Sequence, residues 1–114
     1  MQSLLIRPKA LQHEVFVIQP KGYLNADAAL QLHHHLNIGV SSEQHSRLLI
    51  DMQQVEQLDS AGLMALISAF KLAKKFNKHL SLCSVSYSVR MILELTQLDQ
   101  VLEIVEPIKV ANAA

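Results

Sequence analysis

The chain has 114 residues, half of them hydrophobic, with ten Lys and Arg balanced by ten Asp and Glu. This length fits one domain over 1–114, and a neutral balance argues against a nucleic-acid footprint, which needs a basic excess. Trp is absent and only 4% of residues are aromatic, so no stacking platform for bases or sugars is expected.

Leu4-Leu5-Ile6 is expected to pair beside a strand at Val15-Phe16-Val17-Ile18, which is β-branched and aromatic. Pro20 and Gly22 interrupt the second run and predict a bend or an edge position. Tyr23-Leu24 resumes the pairing. Asn25 or Asp27 can cap a helix in which Ala29, Leu32, Leu36 and Val40 recur at helical spacing. Gly39 and Ser41-Ser42 are expected to end it. Leu48-Leu49-Ile50 is too short an apolar run for a helix and fits a strand buried on both faces, ending at Asp51.

Residues Ala61 to Phe76 carry the strongest helical pattern. Leu63, Leu66, Ile67, Phe70 and Ala73 mark one face, and Lys71, Lys74, Lys75 and Lys78 lie where a helix C-terminus favours cations. Leu80 to Val85 alternates with period two, as a strand does. Ser86 can cap a third helix running to about Thr96, with Val89, Ile92 and Leu93 inward. Leu102 to Val105 is the last strand, and the Ala-rich end beyond Pro107 is expected to fray. The strand–helix alternation predicts an α/β domain with right-handed crossovers. The expected core spans about residues 4–107 and includes Leu49, Ile50, Leu66, Phe70, Leu82 and Ile92.

No apolar run approaches the ~20 residues that span a bilayer, and Met1 to His13 lacks the apolar stretch and cleavage site of a signal peptide. Cys83 is the only cysteine, so no internal disulfide can form and a cytoplasmic home is expected. Its apolar neighbours favour a buried, inert thiol.

The chemistry concentrates in Leu48 to Leu63, LLIDMQQVEQLDSAGL. Asp51 closes a buried strand, at the edge where ligands and partners meet open α/β sheets. Asp59-Ser60-Ala61-Gly62 then turns into the main helix on small residues that leave Ser60 approachable. This run resembles the motif of the STAS (sulfate transporter and anti-sigma factor antagonist) family, a strand ending in Asp followed by a short loop and Asp-Ser-x-Gly. Gly22-Tyr23-Leu24-Asn25 with Ala28 is similar to the family's Gly-x-Leu-Asp segment, and the resemblance continues through Lys75–Leu80, Val85–Leu98 and Val101–Ile104. Three positions depart from it. Asn25 replaces a frequent Asp, Asn77 a turn glycine, and Gln97 a glycine after the third helix. Asn tolerates the left-handed conformation, so Asn77 leaves the fold intact.

The resemblance implies the STAS fold: a four- to five-stranded mixed sheet covered mainly on one face by three to four helices. It also implies the role of an anti-sigma factor antagonist. The unphosphorylated domain would bind an anti-sigma factor serine kinase of the GHKL type and release the sigma factor. Phosphorylation of Ser60 would switch it off, and a serine phosphatase would restore it. Asp51, Asp59, Ser60, Ala61, Gly62, Met64 and Ile67 are the residues expected at the partner surface. Phosphate adds about −1.5 to −2 charge at pH 7, which a helix N-terminus tolerates and a docked partner does not.

Each assignment has a plainer counterpart. Ser60 can simply cap the helix. Asp51 can order its loop by accepting N–H groups, and Met64 can be the edge of the core. His33-His34-His35 invites a metal, but consecutive helical residues diverge by about 100°. His33 is expected to face the core, with His34 and His35 in solvent and no metal or cofactor bound. Catalysis is not expected: there is no Gly-x-Ser-x-Gly elbow, no phosphate loop and no His placed beside Ser60 by a motif. A receiver domain with Asp51 as phosphoacceptor would want an acidic pair after the first strand, which Val15 to Asn25 lacks. The alternative within the family is a non-phosphorylated STAS subunit of a lipid-transport or stress-signalling assembly.

Overall fold

The computed structural model describes residues 15–105. The strand expected at Leu4–Ile6 and the end expected to fray lie outside them. Six strands and three helices follow the alternating order read from the sequence, with β1 Val15–Ile18, β2 Gly22–Leu24, α1 Ala26–Ser41, β3 Arg47–Asp51, β4 Val55–Leu58, α2 Ser60–Lys75, β5 His79–Cys83, α3 Tyr87–Leu95 and β6 Glu103–Val105. A 3-10 turn, Leu98–Gln100, links α3 to β6.

Four strands form one sheet in the order β1-β3-β5-β6, and β2 pairs with β4 in a separate ribbon. Every pairing among the described residues is parallel. β1 is the first in the order of the described strands. Gly22, at φ 71°, turns the chain out of the first sheet and into the ribbon.

The register assigns the two faces of the large sheet. Ile18, Ile50, Leu82 and Ile104 are in line on one face, and Val17, Leu49, Ser81 and Glu103 on the other. The first face meets the core, where Leu24, Leu36, Leu48, Ile50, Met52, Leu66, Leu82, Val89 and Leu93 are fully buried. Leu49 is only half-buried, so β3 is not covered equally on both sides. Phe70 and Ile92 are half-buried and pack against the core margin.

Three local expectations change. The segment between Asp51 and Asp59 is not a plain loop, because Val55–Leu58 forms β4 and buries Val55 and Leu58. Helix α1 continues through Gly39, which lies in the helix and is buried. A Cβ there would come within 2.9 Å of side-chain carbons of Phe16 and Leu48, so the glycine serves helix–sheet contact and not termination. His33 points outward with His34 and His35. The buried positions Leu32, Leu36, Gly39 and Val40 centre the inner face roughly 75° away from it.

Left-handed backbone at Asn77, Ser84 and Gln97 closes β5's two ends and the end of α3. Asn accepts φ 59° readily. Lys78 ties its turn to the loop before β3, its Nζ donating to the carbonyls of Ser42 at 2.7 Å and His45 at 2.6 Å.

Candidate functional site

The site is built on the parallel β2–β4 ribbon. Leu24 and Leu58 are register partners, and each is followed at once by a helix cap. Asn25 Oδ1 accepts from Ala28 N at 3.1 Å, and Asp59 Oδ1 accepts from Gly62 N at 3.0 Å. Both cap residues have extended backbones, and Asp59 N donates to Leu24 O at 3.3 Å. Helices α1 and α2 therefore start side by side, with their free N–H groups at one edge of the domain. Two positive helix ends meet there.

Gly62 sets how closely these starts approach. It is buried, and a Cβ on it would lie 2.1 Å from Leu24 O. Only glycine allows the first turn of α2 to rest on the β2 backbone. The small Asp-Ser-x-Gly turn is thus a packing requirement as well as a means of exposing Ser60.

Ser60 is the first helical residue and is exposed. The capping role that a lone serine suggests belongs to Asp59. The hydroxyl of Ser60 therefore has no part in holding the helix end. Among the described residues it is the only hydroxyl between Ser46 and Ser68.

Asp51, at the end of β3, is only 7% exposed. Its Oδ1 accepts from Gln53 N at 3.0 Å and its Oδ2 from Gln19 Nε2 at 2.8 Å. It thereby ties the β1–β2 connection to the β3–β4 connection. Burial pushes the neighbouring Cys83 thiol up, with the Asp51 charge adding to the effect and a hydrogen bond with Ser84 opposing it. Cys83 is buried and free.

A shallow apolar groove of about 490 Å³ runs between α1 and α2 beside the helix starts. Ala29, Leu30 and Leu36 line one wall, and Ala61, Met64 and Ala65 the other. Leu30 is 71% and Met64 56% exposed, so two large apolar side chains stand in water at its rim. Ala61 lines the groove, whereas Ile67 is half-buried and does not. Of the seven residues nominated from sequence, Ser60, Ala61 and Met64 are together at the start of α2, Asp59 is half-buried beside them and Gly62 is buried beneath them, whereas Asp51 bonds Gln19 and Gln53 in the loops that lead into β2 and β4. Leu30 and His33 on α1 are additions. Leu30 has a sequence signal, an apolar residue off the Ala29–Leu32–Leu36 face, but its neighbour across the groove follows only from the ribbon pairing.

No group of three or more His, Cys, Asp or Glu among the described residues could hold a metal. No described helix is long and apolar enough to cross a membrane.

The same architecture occurs in solved structures. A Thermotoga maritima protein assigned as an anti-sigma factor antagonist is 22% identical, over 88% of this chain and 86% of that one, with a TM-score of 0.75. The STAS domain of a Vibrio cholerae SulP transporter is 14% identical, over 93% and 88%, with a TM-score of 0.70. The anti-sigma factor antagonist SpoIIAA of Bacillus resembles it in both its unphosphorylated and its phosphorylated form. These are 13% and 14% identical, cover 89% of this chain and 87% and 89% of theirs, and have TM-scores of 0.66 and 0.68. At these identities the likeness is one of fold. The family model of the STAS domain matches residues 8–111, nearly the whole chain, and the protein belongs to the STAS domain family.

Proposed function

We propose that the protein is an anti-sigma factor antagonist whose binding to a GHKL-type serine kinase is switched off by phosphorylation of Ser60. The observation that carries this reading is the setting of Ser60. Its hydroxyl is exposed at the first position of α2, is spared from capping by Asp59, and sits beside an apolar rim formed by Leu30 and Met64.

The unmodified surface offers a partner small residues, two helix starts and an apolar groove. Phosphate at Ser60 would be accommodated by the helix N-terminus, so the domain stays folded. The same charge at the groove's end would repel and desolvate a docked partner face. Gly62 acts by holding this surface in shape, Asp51 by ordering the loops that lead into β2 and β4, and a serine phosphatase would reset the switch. SpoIIAA, of the same fold, has been solved in both forms. The role is that of a binding module and not of an enzyme.

Affinity for the cognate kinase, measured by calorimetry, tests the surface. Ser60→Ala should bind like the unmodified protein, and Ser60→Asp and Met64→Asp at least ~10-fold more weakly. Equal affinity for all three would place the partner elsewhere. The second reading is a non-phosphorylated STAS subunit of a lipid-transport or stress-signalling assembly; the STAS domain of a SulP transporter has the same fold. Capture of transporter subunits by the purified protein, with no kinase bound, would favour it.

A further inference from the structure

The outer face of α3 carries a feature that the kinase surface does not use. Tyr87, Met91 and Leu95 are spaced four residues apart, and they are 77%, 38% and 78% exposed. Helical geometry gathers them into one stripe, since each step of four residues turns only about 40°. The opposite face of the helix buries Val89 and Leu93 and holds it on the core. The stripe therefore points away from the core, with Met91 the most covered of the three, and none of its residues lines the groove between α1 and α2.

Arg90 and Glu94 flank the stripe on the same side. Among the described residues neither belongs to an ion pair, the one pair found being His79 with Glu103. Within one helix their order is the less favourable one, with the cation N-terminal to the anion. Across a two-fold axis the order becomes useful. When a second α3 packs antiparallel about Met91, Tyr87 meets the partner's Leu95 and Met91 meets the partner's Met91. Arg90 then faces the partner's Ile92, two residues or about 3 Å along the axis from the partner's Glu94, which a long guanidinium side chain spans, and the reverse pair forms on the same flank. The antiparallel arrangement also sets opposite helix ends side by side. A self-complementary patch of this kind is what a two-fold interface requires.

We infer that the stripe Tyr87–Met91–Leu95 is a homodimer contact, covered by α3 of a second copy of this chain in antiparallel register. A nine-residue helix buries less than the roughly 1,200 Å² of a stable standard interface. The dimer is therefore weak and concentration-dependent, and it uses none of the residues that line the groove between α1 and α2.

Sedimentation velocity on the full chain across roughly 10 µM to 1 mM tests it, a range suited to a small interface. The mass should climb from 12.7 kDa toward twice that value. Leu95→Glu should hold it at the monomer. Arg90→Glu sets two like-charge contacts into the interface and should weaken the dimer by roughly tenfold. Adding Glu94→Arg should restore it, because the pairs re-form with their signs exchanged. Register is read by Met91→Cys, which lies on the axis. At interaxial distances of about 8–10 Å the facing Cα atoms come within disulfide reach. Mild oxidation should link this variant rapidly and Ser88→Cys slowly, with the buried Cys83 as a quiet background. A monomer throughout the range overturns the inference. So does Arg90→Glu without effect, a charge swap that fails to rescue, or equal linking at 88 and 91.

Discussion

Gly62→Ala tests the packing that brings the two helix starts together. The added Cβ would stand 2.1 Å from Leu24 O, and 3.1 Å from both the Leu24 carbonyl carbon and its Cγ. Contacts under 3.0 Å to a Cβ essentially never occur, so the groups must separate by about 1 Å. Leu24 O cannot turn aside like the end of a flexible side chain, because it belongs to the β2 backbone and accepts from Asp59 N. Overpacking of this kind costs typically 1–3 kcal/mol and more when backbone must move. Alanine gains at most ~1 kcal/mol of helix propensity over glycine, and less in the first turn. The net loss is about 2–3 kcal/mol. For a domain of this size it lowers Tm by roughly 10–20 °C. Urea unfolding followed by circular dichroism measures it. Stability within ~0.5 kcal/mol of the parent, the range of a neutral surface change, would refute the close-approach argument.

Three further outcomes follow from the same geometry. Asp59→Ala removes the acceptor for Gly62 N and should cost about 1 kcal/mol, whereas Asp59→Asn should nearly preserve stability; equal losses in chemical denaturation would remove the cap from the account. Ser60→Ala and Met64→Asp should each stay within ~0.5 kcal/mol of the parent, since both side chains are exposed and neither holds the fold; a collapse in the thermal melt would mean that they are structural. Cys83 should resist iodoacetamide in the folded protein near pH 7 and react on unfolding. Because its folded-state pKa is raised, the stability it lends is complete below the ordinary thiol pKa and is lost as pH climbs above it. Prompt native labelling would contradict the burial.

Much of the fold was legible because its signals are local. Ser86 caps α3 as expected, with Val89 N donating to its Oγ at 3.2 Å, and Asn77 adopts the left-handed turn. β4 was missed because Val55-Glu56-Gln57-Leu58 has two buried and two exposed residues in a run of four, which neither alternates nor forms an apolar block. The cap lay one residue earlier than a reading of Ser60 suggests. The Ncap side chain reaches the N–H three residues on, and Asp59 to Gly62 satisfies that spacing. The outward turn of His33 depends on the exact phase of α1, set by the buried Leu32, Leu36 and Gly39.

The candidate site was half visible. Asp59, Ser60 and Gly62 stand together in the sequence, and their turn could be read directly. The groove could not, because Leu30 and Met64 are 34 positions apart and meet only through the β2–β4 register. Asp51 looked like a surface group by its place at a strand end. It is in fact buried and held by hydrogen bonds from Gln19 and Gln53, and Gln19 is distant in sequence.

Phosphorylation of the purified domain by its cognate kinase decides whether Ser60 is the switch. Ser60 alone should be modified, as located by mass spectrometry, with the parent melting temperature kept and kinase binding lost. Modification at another residue, or none from a kinase active on a control substrate, would contradict the switch and favour the non-phosphorylated lipid-transport or stress-signalling subunit.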